Sequence, residues 1–167
     1  MKKLLLVSWM VLSSVLLIAG GDVSEKLPTV AKVPNKVCNT DTVYVEKDAH
    51  LMWQDARYGD IEDAAYKREH TAKKAGTHSY AKGYCQRLNY NGYADWRLPN
   101  SDELLNVHRK FGQVFTHFRE GDFWTSTPAE SGKYYVVFPA DAYRYRRNPK
   151  QSNYIRCVRC LDKEETK

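Results

Sequence analysis

Four cysteines (Cys38, Cys85, Cys157 and Cys160) and five histidines (His50, His70, His78, His108 and His117) hold most of the chain's capacity for covalent or metal chemistry. Cys157-Val158-Arg159-Cys160 has the C-x-x-C spacing of a dithiol redox centre. Such a centre needs a helix N-terminus to lower its thiol pKa. The surrounding residues, 153–159, are β-favouring and offer no helix cap, so redox chemistry is not expected. A four-cysteine zinc site brings together two close pairs, and Cys38 and Cys85 stand far apart. The histidines are scattered and form no H-E-x-x-H pair. Ser126 sits in Thr-Ser-Thr-Pro, without the Gly-x-Ser-x-Gly elbow of a nucleophile. Asp95 and Asp102 could be imagined as an acid–base pair, but a turn and a helix start account for both. A calcium loop at Asn148-Pro149-Lys150-Gln151 would have a lysine where a carboxylate oxygen is wanted. The chain is therefore expected to bind rather than catalyse, with no metal and no other cofactor.

The residues best suited to binding are Tyr143-Arg144-Tyr145-Arg146-Arg147. In a strand the two tyrosines share one face and Arg144 and Arg146 share the other. Guanidinium groups in a row suit sulfate or carboxylate, because each offers a planar two-pronged donor. Arg147 and Lys150 are expected to extend the row into the following loop, with Arg156 and Arg159 as support. The competing assignment is a solvated edge strand whose charges block edge-to-edge aggregation. Trp53, Trp96, Trp124 and Phe138 could form a sugar-stacking platform, but aromatic residues in turn-rich motifs are expected in the core. Arg97, beside Trp96, is expected to hydrogen-bond turn carbonyls rather than a ligand.

The N-terminus speaks to compartment. Met1-Lys2-Lys3 precedes an apolar run over residues 4–19, and Ala19-Gly20-Gly21 supplies small residues at cleavage spacing. Residues 1–21 read as a cleaved export signal, too short in their apolar part for a spanning anchor. Gly21 stands where a lipoprotein would need a cysteine. The formal charge is +6, and +4 once Lys2 and Lys3 are set aside, which is too mild to argue for nucleic acid. The basic residues gather late: residues 133–160 contain Lys133, Arg144, Arg146, Arg147, Lys150, Arg156 and Arg159 against Asp141 alone. Four cysteines in an exported chain read as two disulfides. Cys157 and Cys160, three apart in a strand, would point to opposite faces and take different partners.

These groups must be positioned by a modest set of elements. Residues 22–40 read as an extended lead-in, followed by strands at 42–45 and 50–54. A charged helix candidate covers 60–74, with a thin apolar face. A second helix spans 79–88, and a Gly/Asn turn occupies 89–95. Asn100 caps a third helix, whose buried stripe is Leu104, Val107 or His108, and Phe111. Strands follow at 123–125, 134–138, 142–146 and 154–158, and residues 163–167 form a charged tail. The order predicts a single α+β domain over 41–162, two or three helices on a small antiparallel sheet.

Leu51-Met52-Trp53-Gln54, Tyr84-Cys85-x-x-Leu88 and Gly92-Tyr93-x-Asp95-Trp96-Arg97-Leu98-Pro99-Asn100 running into Glu103-Leu104 make a distinctive combination. Trp124-x-Ser126-Thr127, Tyr135-Val136-Val137-Phe138 and Arg156-Cys157-Val158-Arg159 complete it. Together they resemble the Lcl C-terminal domain family. The resemblance implies a C-type-lectin-like fold in an extracytoplasmic module of the periplasm, cell surface or medium. It also implies recognition of sulfated polysaccharides of the glycosaminoglycan kind. The alternative partner is an envelope or surface protein. A homo-oligomer would multiply the avidity of a short arginine row. The resemblance further implies a bridge from Cys85 to Cys157, leaving Cys38 for Cys160. One departure is the charged segment between Gln54 and Thr77, longer than the family pattern.

Overall fold

A computed structural model of the chain describes residues 41–67 and 70–162, with the backbone alone for residues 64 to 67. The export signal, the lead-in, Cys38 and the charged tail lie outside the described residues. Two sheets and three helices follow one another in an α+β arrangement. Strands β1 (Val43–Glu46), β2 (Leu51–Gln54) and β8 (Val158–Cys160) form a three-stranded antiparallel sheet with β2 in the middle. The second sheet has the order β3-β7-β4-β5-β6, built from β3 (Ala75–Gly76), β4 (Phe123–Pro128), β5 (Tyr134–Phe138), β6 (Tyr143–Arg147) and β7 (Asn153–Tyr154). It is mixed rather than purely antiparallel, because β4 runs parallel to β7. The expected single strand over 154–158 is two short ones, since Ile155, Arg156 and Cys157 leave the ladder between β7 and β8.

The period-two alternation of strands divides the core. Leu51, Trp53, Phe123, Val137, Tyr154 and Val158 point into one cluster with Leu104, Leu105 and Val107 of helix α3 (Ser101–His108). Their chain neighbours Met52, Trp124, Val136, Ile155 and Cys157 point into the other, with Ala81 and Cys85 of helix α2 (His78–Gln86). The two helices thus cover opposite faces of the strands. Helix α1 (Asp60–Lys67) ends earlier than its charge pattern suggested. It is tied down by Glu62, a buried carboxylate that accepts from Lys74 Nζ at 2.8 Å and from the Gly59 amide at 2.8 Å. Burial alone would raise the Glu62 pKa; the lysine and amide bonds hold it below the usual range.

Local sequence explains the sharper features. Asn100 caps α3: its side chain accepts from Glu103 N, and Glu103 Oε2 accepts from Asn100 N, each at 2.8 Å. The same Glu103 carboxylate takes both prongs of Arg97, at 2.8 and 2.6 Å. Arg97 is thus a structural fork as expected, but onto a carboxylate rather than turn carbonyls. Trp53, Trp96 and Trp124 are all in the core, and each indole N–H is satisfied, by Glu46, by the Tyr90 and Tyr93 carbonyls, and by the Gly76 carbonyl. A Cβ at Gly76 would sit 2.7 Å from the Tyr80 ring, so only glycine lets β3 pass this close to α2. Phe111 is fully exposed instead of completing the α3 stripe, because the helix ends at His108 and the chain turns away at Gly112 with φ 79°.

One disulfide is present among the described residues, Cys85–Cys157, with its Cα atoms 5.6 Å apart. It joins α2 to the strand-connecting residue before β8. Cys160 is exposed and carries no disulfide to any described residue, and the partner expected for it, Cys38, lies outside them. No helix among the described residues is long and apolar enough to cross a membrane.

Candidate functional site

Strand β6 occupies the outer position of the five-stranded sheet, paired on one side with β5. The β5–β6 connection is closed by Asp141, whose carboxylate accepts from Tyr143 N at 3.0 Å and from the Tyr145 hydroxyl at 2.8 Å. That bond also pushes the Tyr145 hydroxyl pKa above its ordinary value. Tyr143 and Tyr145 lie on one face with ring centroids 5.2 Å apart, and both remain exposed. Arg144 and Arg146 occupy the other face, where register places them opposite Val137 and Tyr135. The alternation expected from sequence is therefore present.

Each arginine of β6 has an acidic neighbour, and the kind of neighbour differs. Arg144 donates to Ser101 Oγ at 3.1 Å, reaches Asp102 at 3.3 Å and lies over the Tyr135 ring. Arg146 pairs with Glu130 at 2.8 Å. Asp102 and Glu130 are exposed, at 73% and 82% of their side-chain surface, so both contacts sit in water. Arg147 differs: it lies over Tyr145, on the tyrosine face, and donates to the buried Asp122 at 2.6 Å. It does not extend the arginine row, because residue 147 falls on the opposite side of the pleat from 144 and 146. Lys150 is exposed in the loop beyond, its backbone amide donating to Asn148 Oδ1.

Arg156 and Arg159 are not part of this surface, which corrects the expected supporting role. Arg156 is 1% exposed; it donates to the His117 carbonyl at 2.7 Å, reaches Asp55 at 3.4 Å, and stacks 3.7 Å over Phe115. Arg159 is 2% exposed, held by Asp95 and Asp162 and lying 3.9 Å over Tyr93. Both are consumed by the fold. Asp95 and Asp102, which could have been imagined as paired catalytic acids, instead hold Arg159 and Arg144 separately.

A second concavity was not legible from sequence. It is a cleft of about 530 Å³ lined by one side of α2 from His78 to Gln86, the turn entering α3, the middle of β4 and the first residue of β5. His78 forms one wall, its ring stacked on Tyr134 with centroids 3.5 Å apart and planes 19° apart. The only trace in the sequence is a run of unlike polar residues on separate elements, which no local pattern unites. Among the described residues, no group of three or more His, Cys, Asp or Glu is placed to hold a metal ion.

No curated protein matches the chain. The sequence model of the Lcl C-terminal domain matches residues 42–159, spanning β1 through nearly all of β8, with β6, the Cys85–Cys157 bridge and the cleft inside the matched region; the chain belongs to the Lcl C-terminal domain family.

Proposed function

We propose that the chain is an exported, non-catalytic binding module with a C-type-lectin-like fold, and that it takes an anionic polysaccharide of the glycosaminoglycan kind along β6. The observation that carries this reading is the pairing of Arg144 and Arg146 with carboxylates that are themselves exposed. Exposed ion pairs of this sort contribute only about 0.2–1 kcal/mol, so a sulfate or carboxylate from a ligand exchanges with Asp102 or Glu130 at little cost. A bidentate contact from a guanidinium to a ligand oxyanion then offsets that loss. Tyr143 and Tyr145, exposed on the opposite face, and Lys150 in the adjoining loop give the rest of a polysaccharide chain something to pack on. Arg147, committed to buried Asp122, lies over Tyr145 and supports that ring rather than meeting the ligand. Export is supported by the disulfide, since such bonds persist in oxidising compartments.

A second reading has its own supporting observation. The acidic neighbours of β6 already neutralise much of its charge, and β6 has an unpaired outer edge among the described residues. An envelope protein could pair with that edge without any glycan. Heparin binding across a salt series separates the two, comparing the native protein with Arg144→Ala/Arg146→Ala. The polysaccharide reading requires affinity to fall with salt and again with the double substitution. Equal, weak retention of both proteins would leave the protein-interaction module.

A further inference from the structure

We infer that the cleft between α2 and α3 is a separate ligand site, built for a single anionic sugar unit. Its size falls within the range of small-molecule sites, roughly 300–1,000 Å³. The chemistry of its lining is mixed in the way a sugar requires. Tyr134, with His78 stacked behind it, and Leu98 supply apolar surface for the C–H face of a ring. Ser79 and Gln86 supply hydroxyl and amide groups for ring hydroxyls, Asn100 keeps its Nδ2 donor while its Oδ1 caps α3, and Ser126 Oγ donates to the Pro99 carbonyl and can still accept.

His78 has a fixed protonation pattern. Its Nε2 lies 3.0 Å from the Thr125 carbonyl, which can only accept, so Nε2 carries the proton and Nδ1 is an acceptor. Nδ1 has no hydrogen bond to the described residues. Burial, against the Thr125 bond and aided by nearby Lys82, holds the ring pKa below its ordinary value and keeps the imidazole neutral.

The charge of the cleft is positive by one unit. Lys82, exposed and one turn along α2 from His78, faces the same space as the Arg97–Glu103 pair, whose charges cancel. The first turn of α2 adds to this, because it contains no acid and Thr77 makes no side-chain cap to it. Glu103 does not reverse the sign, since its carboxylate is already filled by Arg97 and Asn100. A carboxylate or sulfate ester on a sugar ring satisfies Lys82, and the hydroxyls meet the amide and hydroxyl wall. This site shares no residue with β6 and does not depend on the polysaccharide reading.

Amide chemical-shift titration of the full chain tests it, with glucuronate, glucose 6-sulfate, glucose and inorganic sulfate as probes. Shifts at His78, Ser79, Lys82, Asn100 and Ser126 are expected with both anionic sugars. Affinity should weaken about fivefold in the surface variant Lys82→Ala, from the loss of one exposed ionic contact. It should be unchanged in Arg144→Ala/Arg146→Ala, which separates this site from β6. Preference for one anionic sugar would name the oxyanion. No shift at these amides, glucose binding as tightly as the anionic sugars, or inorganic sulfate reproducing the sugar shifts would each overturn the assignment.

Discussion

Arg156 and Arg144 lie twelve positions apart in the same basic stretch, yet the fold treats them as opposites. Arg156, in the connection from β7 to β8, is buried against three aromatic rings, with Asp55, Gln54 and His117 oxygens as its partners. Arg144 lies over a single ring, with Asp102 and Ser101 beside it at the surface. The buried guanidinium has lost its hydration and has no alternative to the oxygens it holds. The exposed one can change partners freely. A residue type suited to binding anions becomes a scaffold part or stays free to exchange partners according to whether water can still reach it.

The strongest way to break this comparison is to remove the buried member. Arg156→Ala should destabilise the fold by about 3 kcal/mol, because the buried Asp55 would lose its only cationic neighbour among the described residues, although the Thr116 and His117 amides still donate to it, and the space over Phe115 would be emptied. Urea unfolding would read this, and a loss near that of Arg144→Ala would erase the distinction. Comparable in size is the disulfide. Replacing Cys85 and Cys157 with serine opens a loop of separation 72 and should cost about 4 kcal/mol in the chain-entropy account. Heparin retention by the molecules that remain folded should be unaffected, because the bridge lies on the α2 side of the core and β6 does not touch it.

A pH series sharpens the contrast further. His108, packed against Phe115 and Phe123, is pushed down from 6.5 to about 3 by burial and by the charge of Arg156. The unfolded chain therefore takes up a proton below about pH 6.5 that the folded chain refuses. Stability should be flat above that pH and decline as pH falls toward about 4.5, before the carboxylates protonate. Stability curves of His108→Leu should decline less steeply over this window; identical slopes would mean that His108 does not set them. His78, also held low, contributes in the same direction. The smallest stability effect is expected at the surface. Arg144→Ala/Arg146→Ala should shift unfolding by less than about 1 kcal/mol per exposed pair while reducing heparin affinity at low salt.

Much of the fold was readable because local chemistry and tertiary demands agree. Asn100 and Glu103 make a capping box that depends only on spacing, and the strand at β5 follows from a run of aromatic and β-branched residues. The alternation in β6 also followed from spacing. What failed was burial. Nothing in Ile155-Arg156-Cys157-Val158-Arg159 distinguishes its arginines from those of β6, because their partners, Asp55 and Asp95, are 101 and 64 residues away. Phe111 looked like a core position by helical period, but the period stopped three residues earlier. Strand β3, two residues long, has no sequence period at all and exists because Tyr154 and Asn153 pair with it. The cleft was invisible for the same reason, since its walls come from elements brought together only by folding.

The first and last described strands are separated only by β2, and β8 leaves that sheet three residues after the bridged Cys157. Tension applied at the two ends of residues 41–162 therefore loads the small sheet first. Peeling from the C-terminal side can release β8 but is arrested at the covalent link to α2. Strands β4, β5, β6 and β7 all lie between the two bridged cysteines in the chain, so a pull that has already freed β8 leaves them, and the arginine edge, inside the closed loop.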